Sequence, residues 1–459
     1  MSGQLDLSVR SLQAAILATA VVLGALSGID PKLALAAALG LAFVAVVLAD
    51  LSAGLVLFTM ISFVDLLPLG GPALTLAKVA GLLLALSWLA RLTTRERESA
   101  NFLNEHPMIA YVLLAFLGWA ALSLTWAEDP VAGAEAVYRY SLVVVLFLIV
   151  YTAVTERRHV SWILMAFVAG ATVSAMYGFL NPAPAELVND VSRLTGAGID
   201  PNELAAAAVA ALVLAAALAG GWRHQPAARV LALGAVGFLA ATVVLSFSRA
   251  GLVALAFALV LGVIVGGRWR IAAAVLLLAV AVGIGGYYAF YASPEERERI
   301  TKADGGTGRS DVWQVGWRMV EDSPTNGIGA GNFQISSIHY LLEPGALQRT
   351  DFIVDEPKVA HNIYLHVLAE LGIVGLALFL AVVVFSLSCA LRAARLFRAM
   401  ADTRMELIGR ALFVATLAML AADFFLSEQF SKQLWLLFAL GPALYGIARR
   451  SRAHEPAPA

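Results

Sequence analysis

The chain has 459 residues, 60% of them hydrophobic and only 14% charged, with a mean hydropathy of +0.82, which excludes a soluble globule and leaves a polytopic membrane protein. The 31 Lys and Arg against 32 Asp and Glu give a net charge of -1, so no basic stripe is available for nucleic-acid phosphates. Cys389 is the one cysteine, which leaves neither an intrachain disulfide nor a cysteine-based metal site.

A membrane-crossing helix needs about 20 mainly apolar residues. In chain order, such runs fall at 11–28, 33–49, 51–69, 73–90, 107–125, 137–154, 160–180, 203–220, 229–246, 250–267, 270–291, 361–391, 407–426 and 433–448, fourteen in all. Joins as short as Ala49-Asp50-Leu51 and Ser246 to Ala250 make one or two of them candidates for re-entrant segments. The expected fold is therefore an all-α, multi-pass bundle of 12–14 transmembrane helices with one large polar loop. On this reading 1–291 holds the first eleven helices, 292–360 the loop with short helices, 361–448 the C-terminal helices and 449–459 a tail. The first apolar run lacks a small-residue cleavage site and leads straight into further spans, so it reads as a span rather than a signal peptide.

Positive charge in the short joins orients the bundle. Arg91, Arg95 and Arg97, then Arg157 and Arg158, Arg223 and Arg229, Arg268 and Arg270, Arg392 to Arg404, and Arg449 to Arg452 all follow even-numbered runs. Those ends and both termini are expected in the cytoplasm, and the acidic joins Trp126 to Pro130 and Asp423 to Gln429 on the other side. The 181–202 loop, the Ser246 to Arg249 turn and the 292–360 loop then share the outer face, the periplasm of a bacterial inner membrane.

Three polar regions on that face carry candidate chemistry. In Arg193 to Glu203, Asp200-Pro201-Asn202 reads as a turn that starts a helix, with Asp200 or Asn202 as the cap. Arg193, beside a helix start and two glycines, is placed to bind an anion, or simply to sit in a solvated loop. In Ser246-Phe247-Ser248-Arg249-Ala250-Gly251, Arg249 stands at the edge of two apolar runs and needs an anionic or carbonyl partner, a lipid diphosphate among the candidates. Snorkelling to the outer headgroups is the alternative.

The long loop contains Gly305-Gly306-Thr307-Gly308-Arg309-Ser310-Asp311-Val312-Trp313, a flexible stretch running into a helix with Ser310 as its expected cap. Trp313 and Trp317 share one helix face and suit packing on the bundle or the interface, and the helix should stop before Pro324. Gly327, Gly329 and Gly331 lack the preceding strand of a dinucleotide fingerprint and read as a tight loop. The loop ends in Ala360-His361-Asn362-Ile363 at the start of another apolar helix. His361 fits a general base near pH 7, although a lone histidine at a helix start more often caps or packs. No His-Glu-x-x-His pair and no Asp-x-Asp occurs, which weakens a metal-dependent, nucleotide-sugar chemistry.

Taken together, Arg193 to Asn202, Ser248-Arg249-Ala250-Gly251, Gly308-Arg309-Ser310 with Trp313 and the Pro324 to Phe333 segment, and His361-Asn362 followed by Glu370, Gly372 and Gly375 resemble the bacterial O-antigen ligase and O-antigen polymerase superfamily. The resemblance covers residues 190–380 in detail and the remainder as hydropathy. It implies an inverting glycosyltransferase, independent of metal and cofactor, that moves a glycan from undecaprenyl diphosphate to an acceptor sugar such as lipid A-core. By that resemblance Arg193, Arg249 and Arg309 hold the donor diphosphate, His361 activates the acceptor, and Asp200, Asn202 and Asn362 support them. A polymerase of surface polysaccharide is the alternative within the superfamily. A lipid-linked glycan transporter is the alternative outside it, for which Lys78 and Asp65 are the few mid-membrane polar groups. Gly262 and Gly266 form a small-residue pair that suits intrachain packing or dimerisation alike, leaving the oligomeric state open.

Overall fold

The computed structural model describes residues 17, 19–64, 75–94, 102–182, 193–301, 309–341 and 359–453. Among these the regular structure is helical, apart from one bridge between Val64 and Ala197. The first helices are α1 (Thr19–Ile29), α2 (Pro31–Ala49), α3 (Leu51–Ile61), α4 (Leu76–Thr94), α5 (Phe102–Glu105), α6 (Pro107–Leu122), α7 (Pro130–Ala153), α8 (Arg157–Leu180) and α9 (Pro201–Gly221). Then come α10 (Pro226–Leu245), α11 (Arg249–Val265), α12 (Arg270–Phe290), α13 (Pro294–Thr301), α14 (Arg309–Asp322), α15 (Phe333–Leu341), α16 (Ile363–Ala399), α17 (Thr403–Ala422) and α18 (Lys432–Ala453).

The chain is an all-α polytopic membrane protein, and each of the fourteen apolar runs meets a helix. Eight helices among the described residues are long and apolar enough to cross a membrane by themselves. Two differences from the expected spans have local causes. The 51–69 run stops being helical at Ile61, where Phe63 and Val64 turn back and Val64 pairs with Ala197. The 137–154 run starts earlier, at Pro130, because Asp129 accepts from the Val131 and Ala132 amides at 2.8 and 3.2 Å and proline suits the first helical position. Asp65 and the Gly305 to Gly308 run lie outside the described residues.

Helix α9 is the centre of the bundle. Ala205 to Leu212 are all buried, and α9 packs against α8, α10, α11 and α17. Alanines on every face let neighbouring backbones approach closely, which is how helices associate where apolar burial gives no advantage over lipid. At the α9–α11 contact, a Cβ on Gly251 would stand only 2.6 Å from that of Ala205. At the periphery, α12 has no buried residue.

The two ends of the bundle differ in chemistry. At one end, the Ala197 amide donates to Ser174 near the C-terminus of α8 at 3.0 Å, and the Leu194 amide to Leu245 O at 3.1 Å, bringing the 193–200 segment against the Ser246 turn. The 24 residues of α8 separate this from the end where Arg157 pairs with Asp402 at 2.8 Å, about 36 Å at the rise of an α-helix. At that second end Glu406, 1% exposed, is held by Arg268 and Arg410 at 2.8 and 2.9 Å.

Within α16 the helix breaks at Gly372 (φ 65°, ψ -171°), a region of backbone space that glycine alone enters readily. The break frees carbonyls, and the 324–329 loop fills the gap. The Ile328 amide donates to Ala369 O and that of Gly329 to Glu370 O, both at 2.9 Å, while the Ile373 amide donates to Pro324 O at 2.9 Å. The Trp119 indole closes the set, donating to Leu371 O at 2.8 Å. Gly327, Gly329 and Gly331 all have positive φ, as the tight-loop reading expects, and a Cβ at Gly327 would collide with the Glu370 carbonyl.

A substitution tests this joint. Gly372→Ala forces a disfavoured backbone and drives a methyl into Thr325 O, so it should cost roughly 2 kcal/mol or more. Gly234→Ala, in a helical position with open space around it, should cost nothing or stabilise slightly. Thermal unfolding of the two variants in detergent compares them directly; equal midpoints would show that the break carries no such constraint.

Candidate functional site

The Ser246 turn is built to aim one residue. Ser246 donates its hydroxyl to Val243 O at 2.7 Å and accepts from the Ser248 amide at 3.3 Å, and Phe247 between them takes φ 47°. Ser248 then caps α11, accepting from the Gly251 amide at 3.2 Å. This leaves Arg249 as the first residue of α11, half-buried at the polar end of the bundle.

Arg193 is 8% exposed and ties the same corner together, donating to Ser246 O at 3.0 Å and to Asn202 Oδ1 at 2.8 Å. Asp200 is the cap of α9, accepting from the Asn202 backbone amide at 2.8 Å and its side-chain amide at 2.9 Å. Of the two residues able to cap α9, Asp200 takes the role and Asn202 links it to Arg193.

His361 is fixed from both sides. Before it, Ala360 O accepts from the Trp313 indole at 2.9 Å; after it, Asn362 caps α16 by accepting from the Tyr364 and Leu365 amides, both at 3.0 Å. His361 itself is half-buried with φ 46°, left-handed backbone that a non-glycine residue adopts at a cost. It thus stands just ahead of the helix, outside its first turn. Arg309 is the half-buried first residue of α14. Ser310 therefore lies inside the first turn of α14 and not at its expected cap position. Trp313, one turn on, rests edge-on against Phe424 and stacks on Phe425 at 5.7 and 6.3 Å, while Trp317 is exposed.

Five polar residues near these were not singled out as functional by the sequence reading. One turn into α16, His366 contacts Ser427 Oγ at 3.0 Å and Glu370 Oε1 at 3.1 Å, and Glu370 also accepts from the Phe333 amide at 3.2 Å. Glu370 is 1% exposed and faces the interior of the bundle. Asp423 is fully buried, and neither of its carboxyl oxygens has a hydrogen-bond partner among the described residues. Glu428 shares a hydrogen bond with Glu203; burial first, then the neighbouring charges of Glu203, Asp423 and Asp200, push its carboxyl well above the usual range. Arg139, nine residues past the first of α7, lies 4.1 Å over the Phe430 ring. The available signal was a charge within an apolar run, as with Glu370 and Arg139.

Two clusters result. Arg193, Asp200, Asn202 and the Arg249 turn form one; His361, Asn362 and the start of α14 with Arg309 form the other. The acidic segment bridges them, since Glu428 meets Glu203 beside Asn202 while Ser427 meets His366 below His361. No three His, Cys, Asp or Glu side chains among the described residues are grouped to hold a metal ion. An apolar groove of about 410 Å³ runs between α10 and α12, with Leu245 beside the Ser246 turn on its wall.

Residues 234–380 match the family model of the O-antigen ligase. That segment is similar to the O-antigen ligase family. It contains the Arg249 turn, Arg309, His361 and the Gly372 break, and excludes Arg193, Asp200, Asn202 and the Asp423 to Glu428 segment. The superfamily resemblance read from the motifs is thereby borne out. The chain is also 28% identical over 276 residues to an O-antigen ligase of Pseudomonas aeruginosa, a match covering 59% of this chain and 61% of that relative.

The Glu203–Glu428 contact has a pH signature. A carboxyl whose folded pKa is raised takes up a proton on folding, so stability falls as pH rises from the unfolded value towards the folded one. Glu428→Gln mimics the neutral acid and removes that slope. Its unfolding midpoint relative to the parent should therefore be higher at pH 8 than at pH 5; a difference independent of pH would mean that Glu428 ionises normally.

Proposed function

We propose that the protein is a glycosyltransferase of the O-antigen ligase type, moving a glycan from undecaprenyl diphosphate to an acceptor sugar such as lipid A-core. The observation that carries it is the placing of Arg249 and His361, each fixed beside a strained turn at the same polar end of the bundle. A lipid diphosphate brings its own leaving group, so the reaction needs cations where negative charge grows and a base for the attacking hydroxyl. Arg249 and Arg309 supply the guanidinium groups, which stay charged and bind phosphate oxygens in pairs. Arg193 acts beside them and also holds the turn that presents Arg249. His361 takes the acceptor proton as the oxygen attacks the anomeric carbon, with inversion and with no metal or other cofactor in the step. The apolar groove between α10 and α12 suits the first isoprene units of the donor.

Polymerisation of repeat units by the same chemistry is the second reading, favoured by nothing in the site over ligation. The acceptor that works in a purified assay separates the two. With lipid-linked donor and acceptor, His361→Gln should lower turnover by roughly two to four orders of magnitude while donor binding survives. Arg249→Lys should restore little of what Arg249→Ala loses. Near-normal turnover of His361→Gln would remove the base, full activity of Arg249→Lys would remove paired diphosphate binding, and strong inhibition by a chelator would overturn the metal-independent step. Transport without transfer would sink the enzyme reading altogether.

We place this end in the periplasm and both termini in the cytoplasm of the bacterial inner membrane, because the arginine-rich joins lie at the other end. In a Cys389→Ala background, a cysteine at Glu298 should react with an impermeant thiol reagent in intact cells, and one at Ala399 only after lysis. The reverse pattern would invert the topology.

A further inference from the structure

A cavity of about 980 Å³ lies away from the candidate site. It opens at the opposite end of the bundle, between α8, α9 and α10, and the N-terminus of α17 forms part of its rim. Its walls are apolar, with Met165 and Val173 on α8, Leu218 on α9 and Leu231 on α10. Its mouth is cationic and aromatic: Arg157, Arg158 and Arg404 line it together with Trp162 and Trp222, and Asp402 is the acidic group among the lining residues.

The three arginines are not equally engaged. Arg157 pairs with Asp402 at 2.8 Å and Arg158 with Glu156 at 2.7 Å, the latter also lying 5.7 Å over the Trp162 ring. Arg404 donates to the Ser161 hydroxyl at 3.2 Å and has no carboxylate partner among the described residues. It lies against the end of α9, where a Cβ on Gly221 would approach its Cγ to 3.0 Å. A guanidinium at the rim of an apolar slot calls for an anion there, and tryptophans at the mouth mark the level of the lipid headgroups.

The dimensions select the occupant. From Arg157 to Val173 the groove follows α8 for about 24 Å, which matches a headgroup layer plus the half-thickness of the hydrocarbon core, ~15 Å. A free anion would leave the apolar walls bare, and a neutral lipid would leave Arg404 without a counter-charge. We propose that this groove is a binding site for an anionic glycerophospholipid, its phosphate on Arg404 and Arg158 and an acyl chain along α8 and α10. The site stands apart from the transfer reaction; only its assignment to the cytoplasmic leaflet rests on the topology proposed above.

Quenching of tryptophan fluorescence by lipids with brominated acyl chains tests it, using the full chain in nanodiscs and Trp162→Phe to isolate the groove signal. Brominated phosphatidylglycerol should half-quench that signal at about a tenfold lower mole fraction than brominated phosphatidylcholine, the scale of a charge-assisted contact. Arg158→Gln with Arg404→Gln should abolish the preference and leave the phosphatidylcholine curve in place, which also reports an intact fold. Ala169→Phe, which fills the wall without touching a charge, should weaken quenching by both lipids. Inorganic phosphate should not relieve the phosphatidylglycerol signal. Equal curves for the two lipids, a preference that survives the double substitution, or relief by phosphate alone would each overturn the proposal.

Discussion

A backbone amide or carbonyl left unpaired inside a membrane costs several kcal/mol, and the break at Gly372 would leave carbonyls of α16 in that state. The 324–329 loop and Trp119 prevent it by supplying four hydrogen bonds across the gap. That requirement fixes the large polar loop to the bundle. Further contacts follow from it: Trp126 donates to Gly327 O at 3.1 Å, Asn332 exchanges hydrogen bonds with Asp129 at 2.7 and 3.2 Å, and Ser336 donates to Glu128 at 2.7 Å. With the loop held, α14 presents Trp313 to Ala360, and His361 acquires its position. A joint in the helix is thus the support of a residue three turns away.

The two ends of the bundle use charge in opposite ways. At the end bearing His361, carboxyls gather, with Glu203 and Glu428 drawn together beside the buried Asp423. At the other end cations predominate, and the buried Glu406 is clamped by Arg268 and Arg410. Non-glycine residues with positive φ among those described are Phe247, His361 and Ala401. Phe247 precedes the Arg249 turn, His361 is the candidate base, and Ala401 adjoins the Asp402 cap at the mouth of the groove. Each strained residue aims a charged or titratable neighbour or is one, which is how local strain is commonly used.

Much of the architecture was legible in the chain because hydropathy and capping are local properties. The apolar runs placed the helices; Asp200-Pro201 fixed the start of α9; Pro324 set the limit of α14. The alternating glycines announced a tight loop, since a close backbone approach asks for them. Less legible was Ser310, which looked like a cap but lies within α14, because the residues that decide a helix start also include those it packs against. The end of α3 at Ile61 was equally hidden, as it depends on Val64 meeting Ala197, distant in sequence.

By itself, then, the sequence determined the membrane class, the helical content, the polar character of the 292–360 region and which arginines and histidine are candidates for the site. The tertiary structure decided which of those meet. Arg193 reaches Ser246 across 53 positions and Asn332 reaches Asp129 across 203, pairings that no local pattern encodes. It also decided that Glu203 and Glu428 share a hydrogen bond and that Arg404 rims an apolar slot. The physical reason is range: caps, turns and hydrophobic runs are set within a few residues, whereas the partner of a buried charge is chosen by the packing of whole helices.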